Sequence, residues 1–196
     1  MSGPLVLEQN LEGNIILHSF DSIFVRSTAR LRNVILIAPR IRFEKGFKGE
    51  VQAIAHEQIT VEENVYLSYP SVLVLNELNT NENQTNSRIT IQSKAKVLGG
   101  VLLVSQKMEK RRPIQLSMKD ALIAGVVYNQ GQCEIVGKIA GAIYTSQFFL
   151  KIGGGEYINH ILDAHISLDL LPKEFVLPRF IETTVHQPII VSWVKQ

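Results

Sequence analysis

The sequence predicts an all-β protein, a single-stranded right-handed parallel β-helix with about eighteen residues per coil and a C-terminal cap. Three observations lead to this prediction. Apolar triplets recur at a constant spacing, polar insertions interrupt the repeat at one phase only, and apolar residues alternate with a period of two.

Apolar-x-apolar triplets set the repeat. They begin at Ile23, Ile41 and Ile59, so both steps are eighteen residues, and later triplets begin at Ile89 and Ile114. Equivalent side chains one coil apart are expected to stack on one another inside such a coil. The predicted interior ladder is therefore Ile23, Ile41, Ile59, Ile89 and Ile114.

The longer steps contain polar insertions at residues 76–87 and 105–113. A repeat protein tolerates insertions that project from one corner, and these two are expected to be neighbours there. They are interpreted either as solvated loops that maintain solubility or as one partner-binding protrusion. The candidate partner-binding residues are Asn79, Glu82, Lys107, Lys110, Arg111 and Arg112.

Further apolar positions follow each triplet. The residues predicted to share the interior are Val51, Val72, Val101, Val126, Val136 and Ile143. A sustained helical stripe is absent between residues 23 and 149. A β-sandwich is the competing prediction, because it also uses short strands at regular spacing. A sandwich does not require a constant register, so the pattern favours the β-helix.

The domain prediction is a β-helix core at 1–150, which includes an imperfect N-terminal coil, and a cap segment at 151–196. End coils of a solenoid need such atypical caps. Within the cap, residues 153–155 are interpreted as a glycine hinge, 156–164 as a short helix and 165–171 as a strand.

Motifs for nucleophilic, phosphate-binding or zinc-dependent chemistry do not occur in the sequence. No catalytic residue, cofactor or metal site is predicted, and a non-enzymatic role is favoured. The cluster of His160, Asp163 and His165 is interpreted as polar cap residues, with a metal site as the alternative. A net charge of +2 is too small to predict a nucleic-acid partner.

A carbohydrate-binding face is the alternative kind of site, because such faces combine carboxylates, arginines and aromatic rings. A glycoside-cleaving pair also needs two carboxyl groups about 5 to 9.5 Å apart. The alternative interpretation is a solvated corner. The candidates are Arg40, Arg42, Glu62, Glu63, Tyr66 and Tyr69.

The compartment is not fixed by these patterns. No apolar run approaches the roughly 18 residues of a membrane span, no signal peptide is recognised, and Cys133 is a single cysteine without a disulfide partner. The sequence as it stands predicts a cytoplasmic protein. A hydrophobic anchor preceding it would place the chain at the membrane or outside the cytoplasm.

Residues 89–101 and 133–144 repeat an apolar-x-apolar pattern followed by Gly-x-Val or Gly-x-Ile spacing. In this they resemble the coils of bactofilins, bacterial polymer-forming β-helix proteins. The resemblance covers roughly residues 23–149, and the two insertions and the long C-terminal segment depart from it. A cap over the final coil would block the end-to-end stacking that the resemblance implies.

The resemblance implies a non-enzymatic structural or scaffolding protein of the bacterial cytoskeleton or cell envelope. Such a protein would act by association with a protein partner or with itself. The alternative function is a carbohydrate-binding, carbohydrate-active (pectate-lyase-like) or adhesin-type surface β-helix.

Overall fold

The structure, a computed structural model, describes residues 3–77, 87–105 and 113–168 together with Leu171 and Phe175. These residues form strands and turns, and no helix occurs among them. The strands are β1 (Leu5–Leu7), β2 (Asn10–His18), β3 (Ser22–Val25), β4 (Arg30–Phe43), β5 (Lys48–Gly49), β6 (Val51–Val61), β7 (Tyr66–Glu77), β8 (Arg88–Ile91), β9 (Lys96–Ser105), β10 (Gln115–Ile152), β11 (Gly155–Ile158) and β12 (Ala164–Ser167).

Parallel pairing dominates the described strands. Hydrogen-bonded neighbours follow the order β1-β3-β4-β6-β8-β10-β9-β7-β5, while β2 joins β4, and β11 and β12 join β10. Among the pairings between these strands, β10 with β11 is the one antiparallel pair. The prediction of an all-β chain with parallel strands is confirmed.

We call residues that lie in register on adjacent strands a column. Side chains of one column point the same way, because neighbouring strands share the pleat. The first four isoleucines of the predicted ladder lie in one column and are all buried, so this part of the prediction is confirmed. The column comprises Leu5, Ile23, Ile41, Ile59, Ile89 and Leu116.

The fifth residue of the predicted ladder is wrong. Leu116, not Ile114, is in register with Ile89. Ile114 is also buried. A shift of two residues leaves every side chain on the same face, so alternation alone does not distinguish the two registers.

The predicted interior set of valines also needs a correction. Val101 is in register with Leu73 and Val127, and all three are fully buried. Val72 and Val126 lie one position earlier in register, on the outward side of their strands. A slip of one residue exchanges the two faces of a strand, and consecutive valines conceal that slip in the sequence.

The chain after β10 turns back as a hairpin. Gly153 and Gly154 have φ values of 58° and 83°, and β11 returns antiparallel along Phe149–Ile152. Positive φ at both central residues is what a tight hairpin turn requires, so these glycines form a turn and not a hinge. The short helix predicted at 156–164 is wrong. Of the strand predicted at 165–171, residues 165–167 belong to β12, Leu168 and Leu171 lie in bends, and residues 169–170 lie outside the described residues. The division at residue 150 stays a prediction.

Candidate functional site

The first candidate surface is the N-terminal edge, which we define as β1 and β2. Among the described strands, β1 pairs only with β3 and β2 pairs only with β4. Backbone N–H and C=O groups on the other side of an edge strand are available to pair with a further strand. This edge is therefore one end of the stack of parallel strands.

Inward-facing residues of β2 are incompletely covered. Leu11, Ile15 and Leu17 are half-buried, whereas their register partners on β4 are buried. The difference arises because β4 has strands on both sides and β2 has one neighbour. The partners are Leu31, Val34 and Leu36.

Large apolar side chains are also exposed along this edge. Phe20 is 85% exposed and Ile16 is 63% exposed. The Phe20 ring contacts the imidazole of His18, with ring centroids 4.6 Å apart. Ile16 and Phe20 are four residues apart at the end of β2, and exposed apolar patches are typical of surfaces that bind another protein.

The second candidate surface is a groove of about 610 Å³ on the outer face of β3, β4 and β6, which we call the Arg42 groove. Its polar side chains point outward because they alternate with buried residues such as Ile41 and Phe43. Prominent lining residues are Asp21, Phe24, Arg40, Arg42, Gln58 and Glu62.

Both arginines of the groove are engaged in ion pairs. Arg40 Nη2 lies 3.0 Å from Asp21 Oδ1, and Arg40 Nε lies 3.8 Å from Glu57 Oε2. Arg42 pairs with Glu62, whose second carboxylate oxygen accepts a hydrogen bond from the Lys45 backbone N–H at 2.9 Å. The groove therefore presents neutralised charge pairs and not a patch of one sign.

Glu63 has a different environment from its neighbour Glu62. Glu63 lies in the turn after β6, and its Oε2 is 2.6 Å from Lys45 Nζ. The hydrogen bond and charge of Lys45 lower the pKa of Glu63, and the same contact raises the pKa of Lys45. A glycoside hydrolase needs one carboxylic acid with a raised pKa, so the shift of Glu63 is in the opposite direction.

The two tyrosines of the predicted carbohydrate face lie elsewhere. Tyr66 lines another groove, of about 580 Å³, together with Glu12, Arg32 and Lys48. Tyr69 contacts the ring of Phe175, at a centroid distance of 5.7 Å. Of the six sequence candidates, the structure thus brings Arg40, Arg42 and Glu62 together. The six loop candidates, Asn79, Glu82, Lys107, Lys110, Arg111 and Arg112, lie outside the described residues.

A charged corner was missed by the sequence reasoning. Arg26 lies 3.7 Å from Glu8 and 3.1 Å from Glu44, and Glu44 also accepts a hydrogen bond from the Ser27 backbone N–H. This backbone hydrogen bond is the main reason that the pKa of Glu44 is lowered. The signal was present, because charged residues recur at steps of eighteen at positions 8, 26, 44 and 62.

Other candidate reactive groups add no reactive centre. Cys133 is buried, and burial raises the pKa of its thiol to about 12. His160 Nδ1 lies 2.8 Å from the backbone oxygen of Ile158. Within the described ranges, no three His, Cys, Asp or Glu side chains form a group that could hold a metal ion. The same ranges contain no helix long and apolar enough to cross a membrane.

Neither a scan against models of protein families nor searches of curated proteins and of solved structures found a match to this chain.

Proposed function

We propose that this chain is a non-enzymatic structural protein, wound as a right-handed parallel β-helix, that associates with copies of itself through its N-terminal edge. The proposal follows the resemblance to bactofilins in its mode of action. The observation that carries it is the incomplete burial of Leu11, Ile15 and Leu17 beside an unpaired strand edge.

The register steps support the winding. In the first column the sequence advances by eighteen residues from Leu5 to Ile23, to Ile41 and to Ile59. β4 also pairs with β6 over two separate stretches, beginning at Val34 and at Arg40. A return to parallel register after a constant length is what winding around an axis would produce. Right-handed crossovers account for about 98% of parallel connections, which supports the handedness.

The choice of a second copy as the partner rests on the surface of the edge. Ion pairs involving the edge are already made inside the chain, by Glu8 with Arg26 and by Glu12 with Arg32. What remains for a partner is a strand edge and apolar side chains, without a strong charge. Such a surface is self-complementary, as symmetric association between identical chains requires.

Sedimentation velocity of the whole chain over a wide concentration range tests this proposal. The wild-type mass is expected to rise with concentration, and the double variant Ile16→Lys/Phe20→Lys is expected to remain monomeric. Ile158→Lys is the matched control, because Ile158 is 54% exposed on β11. A wild-type chain that stays monomeric throughout, or a double variant that assembles like the wild type, would contradict the proposal.

A carbohydrate-binding function is the second candidate, and the Arg42 groove favours it. The groove combines the Phe24 ring with hydrogen-bonding groups of Arg42 and Gln58, the kinds of side chain that contact sugar rings. Titration calorimetry with neutral and acidic oligosaccharides tests this function. Binding that is lost in Arg42→Ala and kept in Arg30→Ala would support it over the structural role.

A further inference from the structure

A group of outward-facing apolar residues on β9 and β10 is almost completely buried. Leu102 is 6% exposed and Val126 is 4% exposed, and neither belongs to the interior cluster that contains Val101 and Val127. Ala124 is buried on the same side. Alternation along a strand places these side chains on the outer face, where solvent would normally reach them.

The same column is less buried on earlier strands. Val126 continues a column that contains Ile35, Gln52, Val72 and Gly100. Gln52 is exposed, and Ile35 and Val72 are half-buried. The outer face is therefore covered around Leu102 and Val126 but not at the corresponding positions of β4 and β6, so strand pairing alone does not account for the burial.

Phe175 lies on this outer face. Its ring contacts Tyr69, and its Cε2 atom is 3.0 Å from the point that a Cβ on Gly125 would occupy. Gly125 is in register with Gly99, which in turn is in register with Ser71. A Cβ on Gly125 would also lie 1.6 Å from the Gly99 backbone oxygen, so a glycine at position 125 allows both β9 and the Phe175 ring to approach closely.

The path of the chain is consistent with this position. β12 ends at Ser167, which is in register with Ala140, the residue before Gly141. A Cβ on Gly141 would lie 1.9 Å from the backbone oxygen of Gly125, so the end of β12 is close to the glycine column. Eight residues from Ser167 to Phe175 span up to about 26 Å when extended, so the chain can return from the end of β12 to Gly125.

We propose that Phe175 acts in cis as a cover for the outer apolar face beside Gly125. The cover keeps Leu102, Ala124 and Val126 from binding a second copy side by side. This surface is distinct from the N-terminal edge, and the inference does not depend on the proposed function.

Phe175→Asp in the full chain tests the cover, because a carboxylate cannot remain between Tyr69 and Gly125 without water. The variant is expected to bind an apolar dye such as anilinonaphthalene sulfonate several-fold more strongly and to self-associate. Leu168→Asp is the control, since Leu168 is 68% exposed, and it is expected to behave as the wild type. Equal dye binding by the two variants, with circular dichroism unchanged, would overturn the inference.

A photo-cross-linking experiment tests the position of Phe175 even if Phe175→Asp fails to fold. With p-benzoylphenylalanine at position 175, irradiation of dilute protein is expected to join that residue to peptides containing Tyr69 or Ala124–Val126 of the same chain. A mixture of isotopically light and heavy chains distinguishes cross-links within one chain from cross-links between two chains. Cross-links between light and heavy chains only, or cross-links to other strands, would show that Phe175 does not cover this face in cis.

Discussion

The Glu44 carboxylate accepts a hydrogen bond of 2.8 Å from the backbone N–H of Ser27, seventeen residues earlier in the sequence. Glu62 repeats the relationship with the backbone N–H of Lys45, at 2.9 Å and again seventeen residues apart. Each carboxylate therefore satisfies a donor in the turn of the preceding repeat. A backbone N–H in a turn needs such a partner, so these corners link one repeat to the next.

Glu44→Gln is expected to reduce the stability of the fold at neutral pH. It should also remove part of the loss of stability that the wild type shows as the pH falls. The pKa of Glu44 is lowered from 4.5 in the folded chain, chiefly by the Ser27 hydrogen bond. A lowered folded pKa gives stability that is present above about pH 4.5 and is lost as the pH falls through the folded pKa. Urea unfolding of both proteins between neutral and acidic pH measures the difference.

The control for this change is Glu50→Gln, which removes the same charge from a neighbouring position on the chain. The difference between wild type and Glu44→Gln should shrink as the pH falls. A constant difference across the whole range would show that ionisation of Glu44 does not contribute to stability.

The first column and the parallel strands could be predicted because their signal is local. Three isoleucines recur at steps of eighteen residues, and the residues that directly follow each of them alternate between the two faces of the strand. Ile114 could not be placed, because a step of two residues keeps the side chain inside. The C-terminal helix was predicted from composition, whereas the two positive-φ glycines and the pairing of β11 determine the hairpin.

The candidate site was only partly predictable for a similar reason. Arg40 and Arg42 share one strand, so alternation places them on one face. Tyr66 and Tyr69 follow a turn, and the face of a side chain after a turn depends on how the chain leaves the corner. Contacts such as Tyr69 with Phe175 join residues more than a hundred positions apart, and no periodic pattern encodes them.

Val101→Asp and Val136→Asp should differ strongly, although both valines were predicted to be interior. Val101 is fully buried, whereas Val136 is half-buried because Ile135 takes the inward position. An unpaired charge at Val101 is expected to cost about 4 kcal/mol or more, and the change at Val136 about 1 kcal/mol. Urea midpoints report the two values, and similar losses for both variants would mean that the assignment of faces in β10 is wrong.

Gly99→Ala and Gly13→Ala separate a steric clash from backbone strain. Both glycines have positive φ, 144° and 117°, but a Cβ at Gly99 would lie 1.9 Å from the Ser71 backbone oxygen and one at Gly13 would contact nothing within 4 Å. Gly13→Ala is expected to cost about 1–3 kcal/mol from strain. Gly99→Ala should lower the free energy of unfolding by clearly more, because the Ser71 backbone must move to make room for the new Cβ. Equal losses in thermal unfolding would exclude the close approach of β7 and β9.

Cys133 should be unreactive towards thiol reagents in the folded protein. Only a thiolate reacts, and burial raises the pKa of this thiol to about 12, so the reactive form is scarce at neutral pH. Labelling with a chromogenic disulfide is expected to be negligible without denaturant and to reach one equivalent in urea. Thr28→Cys, at an exposed corner, provides the control and should react at once with one equivalent. Rapid labelling of the unmodified chain under native conditions would show that the strands around Cys133 open to solvent, which a continuously paired core does not allow.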